Sequence, residues 1–170
     1  SKAAFLAKKY DFDYWDGDRR VNYGGYKYIP GRWSKVAEEM INHYQLGSNS
    51  KILDIGCGKG FLLYEFKKLL PECKIFGLDI SEYAIKNAHE AVKENLTLGS
   101  ASQLPFKEKM FDLVISINTL HNLYCYELIE ALKEIERVGK MNKYICVESY
   151  RNEEEKANLL YWQVTCEAFN

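Results

Sequence analysis

The sequence predicts an α/β protein built as a three-layer, doubly wound, mostly parallel sheet. Three observations predict it. The run FDLVISI, residues 111–117, is nearly continuous in apolar residues, as a strand buried on both faces must be. Helical spacings separate the strand-like runs from residue 34 onward, which implies parallel pairing through right-handed crossovers. In ILDIGCGKG, residues 52–60, three glycines fall at alternate positions directly after an apolar run, marking a tight strand-to-helix turn.

The elements follow in order. Ser34 can cap a helix whose Val36, Ala37, Met40, Ile41 and Tyr44 share a face, with Gly47 to end it. Residues 51–55 read as a buried strand. Phe61, Leu62, Phe66, Leu69 and Leu70 repeat at helical spacing, and Pro71 stops that helix. A second strand runs over 74–78 and ends at Asp79. Ser81 caps a helix carrying Ile85, Ala88 and Val92, and 95–98 is a short third strand. After the fourth strand, 111–117, comes a loop and a helix with Leu128, Ile129, Leu132, Ile135 and Val138 in register, closed by Gly139. Residues 144–148 form the fifth strand. Asn152 with Glu155 three places on is a capping box for a last helix through Phe169.

The first 33 residues differ. YDFDYWDGDRRVNYGGYKYIPGRW is dense in aromatics, Asp, Gly and Arg, with no clear period. It reads as an ordered irregular arm or lid, or as a segment that covers an apolar sheet face. The chain therefore divides into an arm, 1–33, and one domain, 34–170.

Composition excludes several classes. With 170 residues and a formal net charge of −1, the balance gives no electrostatic case for a nucleic-acid partner. Five scattered cysteines form no C-x-x-C pair, which argues against a disulfide framework or a metal site and for a reduced, cytoplasmic setting. No apolar stretch approaches membrane-spanning length, and no signal-peptide pattern opens the chain. A homo-oligomer stays open.

The glycine loop follows the first strand, so it lies where open α/β sheets bind ligands, beyond the carboxyl ends of the strands. Gly56, Gly58 and Gly60 form G-x-G-x-G, one residue tighter than the dinucleotide loop G-x-G-x-x-G, whose third glycine would fall at Phe61. A pyrophosphate wants the open helix N-terminus. The shorter spacing suits a ligand without phosphates, whose amino-acid tail rests against the loop. Asp79 ends the second strand beside that loop, and a carboxylate there can accept both ribose hydroxyls.

LDIGCGKG, GLDIS, ASQLPF and FDLVISINTLHNL, in this order, resemble the class I S-adenosylmethionine-dependent methyltransferases over roughly residues 34–150. The resemblance implies a Rossmann-like methyltransferase fold with S-adenosyl-L-methionine as cofactor. It implies that Gly56, Gly58 and Gly60, with Cys57 inside the turn, meet the methionine part, and that Asp54 braces the loop. Asp79 would hold the ribose, Ile80 pack on the adenine, Ser100 and Ala101 lie at the adenine edge, and Asn118 lie under the methionine part. Two departures stand out. Ser100 occupies a position that is often Asp in the family, so any adenine contact there lacks charge. The family's sheet usually ends in an antiparallel hairpin after the last helix, and no candidate strands follow Glu148. Either the chain stops early or those strands lie outside it, and the fifth strand would be an open edge.

The cofactor carries the electrophile, so the protein must align an acceptor in line with the methyl–sulfur bond and exclude water. His121, after the fourth strand, is the candidate base, against a structural loop histidine. Glu148, ending the fifth strand, is the candidate substrate contact, against a salt bridge. Tyr10, Tyr14, Trp15, Tyr23, Tyr26 and Tyr28 could line a lid around an organic acceptor, and Trp162 and Thr165 could reach the pocket. The expected function is methyl transfer to a small-molecule acceptor. The alternatives are a protein or RNA methyltransferase, a nicotinamide-dependent oxidoreductase, against which the glycine spacing speaks, and a non-catalytic cofactor-binding module.

Overall fold

The computed structural model describes residues 2–148 and 150–163. Its elements in chain order are α1 (Lys2–Ala7), α2 (Phe12–Trp15), α3 (Ser34–His43), β1 (Lys51–Ile55), α4 (Phe61–Leu69), β2 (Lys74–Asp79), α5 (Glu82–Lys86), β3 (Leu96–Leu98), β4 (Phe111–Ile117), α6 (Cys125–Val138), β5 (Gly139–Cys146) and α7 (Glu153–Gln163). The five strands form one sheet in the order β3-β2-β1-β4-β5, and every pairing is parallel. The chain winds outward from β1 through β2 to β3, then returns to the other side of β1 for β4 and β5. The switch point is therefore the crevice between β1 and β4.

Side-chain alternation splits the core into two layers. Ile52, Leu113 and Ile115 point to one face, against Ala37 and Met40 of α3 and Leu63 and Phe66 of α4. Leu53, Ile55 and Val114 point to the other, against Ala131, Ile135 and Val138 of α6. Each layer is buried apolar surface, so the sheet has the covered faces that parallel pairing needs.

Several boundaries differ from expectation. The Ser81 helix ends at Lys86 rather than reaching Val92. Asn87 donates its side-chain amide to the Tyr83 carbonyl at 2.8 Å, and His89 N–H donates to Lys59 O at 2.9 Å, so the backbone is diverted out of the helix. Ser34 opens α3 but does not cap it, because its hydroxyl donates to Glu65 Oε2 at 2.7 Å. That helix ends at His43, and the left-handed residue beyond it is Gln45, not Gly47. β5 begins at Gly139 rather than Tyr144, so Gly139 both closes α6 and opens the strand. Glu148 consequently lies past the strand, exposed.

Among the described residues β5 pairs with β4 alone, and no strand follows it. No described helix is long and apolar enough to cross a membrane. The expected run of the last helix to Phe169 lies outside the described residues, as do Thr165 and the side chain of Trp162.

Candidate functional site

A cavity of about 460 Å³ opens at the carboxyl ends of β1, β2 and β4, within the roughly 300–1,000 Å³ typical of small-molecule sites. Its floor is Asp54, Ile55, Gly56, Cys57 and Gly58 from β1 and its loop, with Asp79 and Ile80 from the end of β2. Ser100 and Ala101 close one side, and Asn118 and Thr119 another.

The loop is held from outside. Gly56 and Cys57 donate their backbone N–H groups to Leu78 O at 2.7 and 3.2 Å. Gly58 N–H donates to Asp79 Oδ2 at 2.7 Å, and Ser81 N–H donates to Asp79 Oδ1 at 2.8 Å. The bracing expected of Asp54 is thus supplied by Asp79 and by β2. Gly56 has φ +77°, and a Cβ there would sit 1.9 Å from Thr119 Oγ1. Gly58 has φ +54°, and its Cβ would sit 2.9 Å from the Trp15 ring. Gly60 does not line the cavity. It precedes α4 and backs onto Val92 and Leu96, away from the site.

Three carboxylates, Asp54, Asp79 and Glu127, line this space. Asp54 is buried and accepts no hydrogen bond from a described residue. Burial, and secondarily the charge of Asp79, pushes its carboxyl up from 3.8 to about 7. Burial also raises Asp79, against the lowering effect of the N–H groups of Ser81, Gly58 and Ile80. Lys8 and Lys9 line the same cavity, so the hollow carries both signs of charge, and Asp54 offers a local place for a cationic group of a ligand. Desolvation pushes the Cys57 thiol upward as well, so it is a neutral packing group in the turn.

The N-terminal segment is the roof. Trp15 stacks on Tyr23 with ring centres 5.4 Å apart and planes 9° apart, and Tyr26 stacks on Phe61 at 5.1 Å. Trp15 Nε1 donates to Ser81 Oγ at 2.9 Å. Tyr10, Tyr14, Trp15, Tyr23 and Tyr26 line the cavity. Tyr28 does not: its hydroxyl donates to Glu65 Oε1 at 2.5 Å on the α4 side. Burial holds the Tyr14 and Tyr26 phenols far above their usual value, so both are hydrogen-bond donors and not bases near neutrality.

At the far side Asn118 adopts φ +53°, a conformation that Asn tolerates better than most residues, and its N–H donates to Cys146 O at 2.9 Å. Ile80 is 61% exposed and presents an apolar face to the cavity. The Ser100 hydroxyl is engaged with Ser102 Oγ at 2.8 Å.

The two catalytic candidates are not brought to the site. His121 lies in a 3₁₀ turn, Leu120–Asn122, and its ring does not line the cavity, although Asn122 and Tyr124 do. Burial lowers the His121 pKa. Glu148 does not line it either, though its charge reaches the Tyr23 phenol. Sequence reasoning missed Thr119, Asn122 and Tyr124, and it missed the role of Lys59. Lys59 is buried beside the loop and bonded to Asp16, 43 residues earlier, with nothing in the local pattern to signal it. Among the described residues no cluster of His, Cys, Asp and Glu could hold a metal ion.

Comparison with known proteins gives the family of the chain. A family described as a methyltransferase domain matches residues 46–169. The chain is 35% identical over 130 residues to the tRNA (carboxymethyluridine(34)-5-O)-methyltransferase of Arabidopsis thaliana, covering 76% of this chain and 30% of that protein. It is 31% identical over 128 residues to the demethylmenaquinone methyltransferase of Symbiobacterium thermophilum, covering 70% and 50%. Its fold matches a methyltransferase structure from Aquifex aeolicus with a TM-score of 0.56 at 22% identity, covering 81% of this chain and 83% of that one. The chain spans half or less of the length of these curated relatives. It belongs to the class I S-adenosylmethionine-dependent methyltransferases, whose cofactor is S-adenosyl-L-methionine.

Proposed function

We propose that the chain transfers a methyl group from S-adenosylmethionine to a small-molecule acceptor inside the roofed cavity. The observation that carries this reading is the juxtaposition of Asp54 and Asp79 beneath the aromatic roof at the switch point. When bound, the cofactor supplies an electrophilic methyl group on a sulfonium. Asp79 accepts the ribose hydroxyls on the lone pairs that Gly58 and Ser81 leave open. Gly56 and Gly58 let the backbone approach the methionine part, and Cys57 fills the turn. Asp54 complements the ligand's positive charge, and Asn118 offers its amide from the opposite wall. Ile80 offers apolar surface to the adenine, with Ser100 and Ala101 at its edge. Tyr14, Trp15, Tyr23 and Tyr26 exclude water from above.

A labelled-methyl screen tests the acceptor class. Label transferred from S-adenosylmethionine to an organic-soluble or small polar metabolite supports the proposal. Label appearing only in tRNA or protein would overturn the small-molecule reading.

The Asp54 carboxyl supplies a pH signature. Its folded value of about 7 lies above its ordinary 3.8, so the unfolded chain loses this proton first. Asp54 therefore contributes a loss of stability as pH rises between those values. A cation beside it reverses the preference and favours the carboxylate. Binding of S-adenosylhomocysteine, which keeps the ammonium, should release a fraction of a proton at pH 6 and almost none at pH 8.5. Calorimetry in two buffers of different ionisation enthalpy measures this. Asp54→Asn should abolish the release. Identical apparent enthalpies in both buffers at pH 6 would remove Asp54 from the cofactor contact.

A further inference from the structure

Adjacent residues of the arm meet adjacent residues of the glycine loop. Trp15 covers Gly58, whose Cβ position is 2.9 Å from the indole ring, and Asp16 pairs with Lys59. Lys59 Nζ donates to both Asp16 oxygens, at 2.8 and 2.7 Å, and to Tyr26 O at 2.9 Å. All three of its protons have acceptors, and the residue is 5% exposed. Asp16 also accepts from Tyr83 hydroxyl at 2.8 Å and Tyr26 N–H at 3.0 Å. Tyr26 N–H donates in turn to Trp15 O at 3.0 Å. One ammonium thus gathers both sides of the roof, the Trp15 turn and the Tyr26 strand of chain, onto the loop that the cofactor must approach.

Contacts other than the ion pair also hold the arm, among them the hydrogen bond from Trp15 Nε1 to Ser81 Oγ at 2.9 Å. Trp15 stacks on Tyr23 and Tyr26 on Phe61, and a tilted Tyr23–Tyr26 contact joins the two pairs into one aromatic cluster. Burying a charge pair costs desolvation that hydrophobic residues of similar volume avoid, so such a pair is weak evidence for stability. Its distinct property is registry, because oppositely charged groups with fixed donors fit in one alignment only. We infer that Lys59 is a positioning residue: through Asp16 and Tyr26 O it sets the aromatic roof in one register over Gly58, and so shapes the site for its ligand. The inference rests on the reading that the cavity holds the cofactor.

The test compares Lys59→Met, Asp16→Asn and the double variant, with Lys140→Met as a control that removes an exposed pair to Asp112, 2.8 Å in length. Two quantities are read in folded protein. One is affinity for S-adenosylhomocysteine by calorimetry. The other is the indole N–H resonance of Trp15 in the ligand-free chain, assigned by its loss in Trp15→Phe. Lys59→Met is expected to weaken binding at least tenfold and to move the Trp15 resonance, while Lys140→Met changes neither. The double variant is expected to lose less than the sum of the two single changes, since both remove the same Lys59–Asp16 pair. An unchanged affinity or an unchanged Trp15 resonance in Lys59→Met overturns the inference. If that variant does not fold, the double variant, which leaves no unpaired buried charge, is judged by the same two readouts. If the unmodified chain does not bind S-adenosylhomocysteine, the cofactor reading falls, and the Trp15 resonance alone decides whether Lys59 sets the roof.

Discussion

Replacing Asp79 with alanine is expected to weaken binding of S-adenosylhomocysteine by about a hundredfold. The reasoning starts from the carboxylate's two oxygens. Each takes one backbone N–H, from Gly58 at 2.7 Å and from Ser81 at 2.8 Å. Ile80 N–H lies close as well, and the carboxylate keeps its remaining lone-pair capacity for the ribose. A hydrogen bond to a charged group contributes about 1.5–3 kcal/mol, and about 2.7 kcal/mol corresponds to a hundredfold. The alanine variant also leaves the Gly58 and Ser81 N–H groups without their acceptor, which loosens the loop itself. Asp79→Asn separates the two effects, because it keeps the side-chain volume but must turn an NH₂ group toward one of those donors. Calorimetry beside a circular dichroism melt is the measurement. Full affinity in a folded Asp79→Ala chain would contradict the ribose assignment.

Gly58→Val is expected to abolish binding. The position has φ +54°, where a β-branched residue is strained, and its Cβ would lie 2.9 Å from the indole of Trp15. Valine adds two methyl groups beyond that point. They must displace the ring or enter the cavity, and either outcome removes space from the ligand. The backbone strain costs on the order of 1–3 kcal/mol, so the melting midpoint falls as binding disappears. A variant that melts like the parent and binds with full affinity would show that neither the roof nor the ligand approaches Gly58.

The parts of the molecule that depend on local pattern were legible in the sequence. FDLVISI is β4 from its first residue to its last, because a central strand buried on both faces leaves an unbroken apolar run. Pro71 does follow the end of α4, and the glycine loop and Asp79 do meet at the switch point. What was not legible depends on partners far away in the chain. β5 begins with Gly-Lys-Met-Asn-Lys, which carries no strand pattern, because as an edge strand it leaves Met141 and Ile145 exposed. The short helices α1 and α2 have no period of their own. Trp15 is fixed by Ser81, 66 residues later, and Asp16 by Lys59. Ser34 has the chemistry of a cap, but a buried Glu65 takes its hydroxyl. His121 follows the correct strand, yet the 3₁₀ turn that carries it brings its neighbours to the cavity instead. Position along a strand predicts which loop reaches the site. It does not predict which residue of that loop faces inward.

The central claim is that the cavity between the glycine loop and the aromatic arm holds S-adenosylmethionine. Calorimetric titration of the unmodified chain with S-adenosylhomocysteine, run beside a titration with NAD, tests it most directly. The account predicts saturable binding of S-adenosylhomocysteine at one site per chain and no heat of binding with NAD. Binding of NAD, or a folded chain that binds neither, would contradict it.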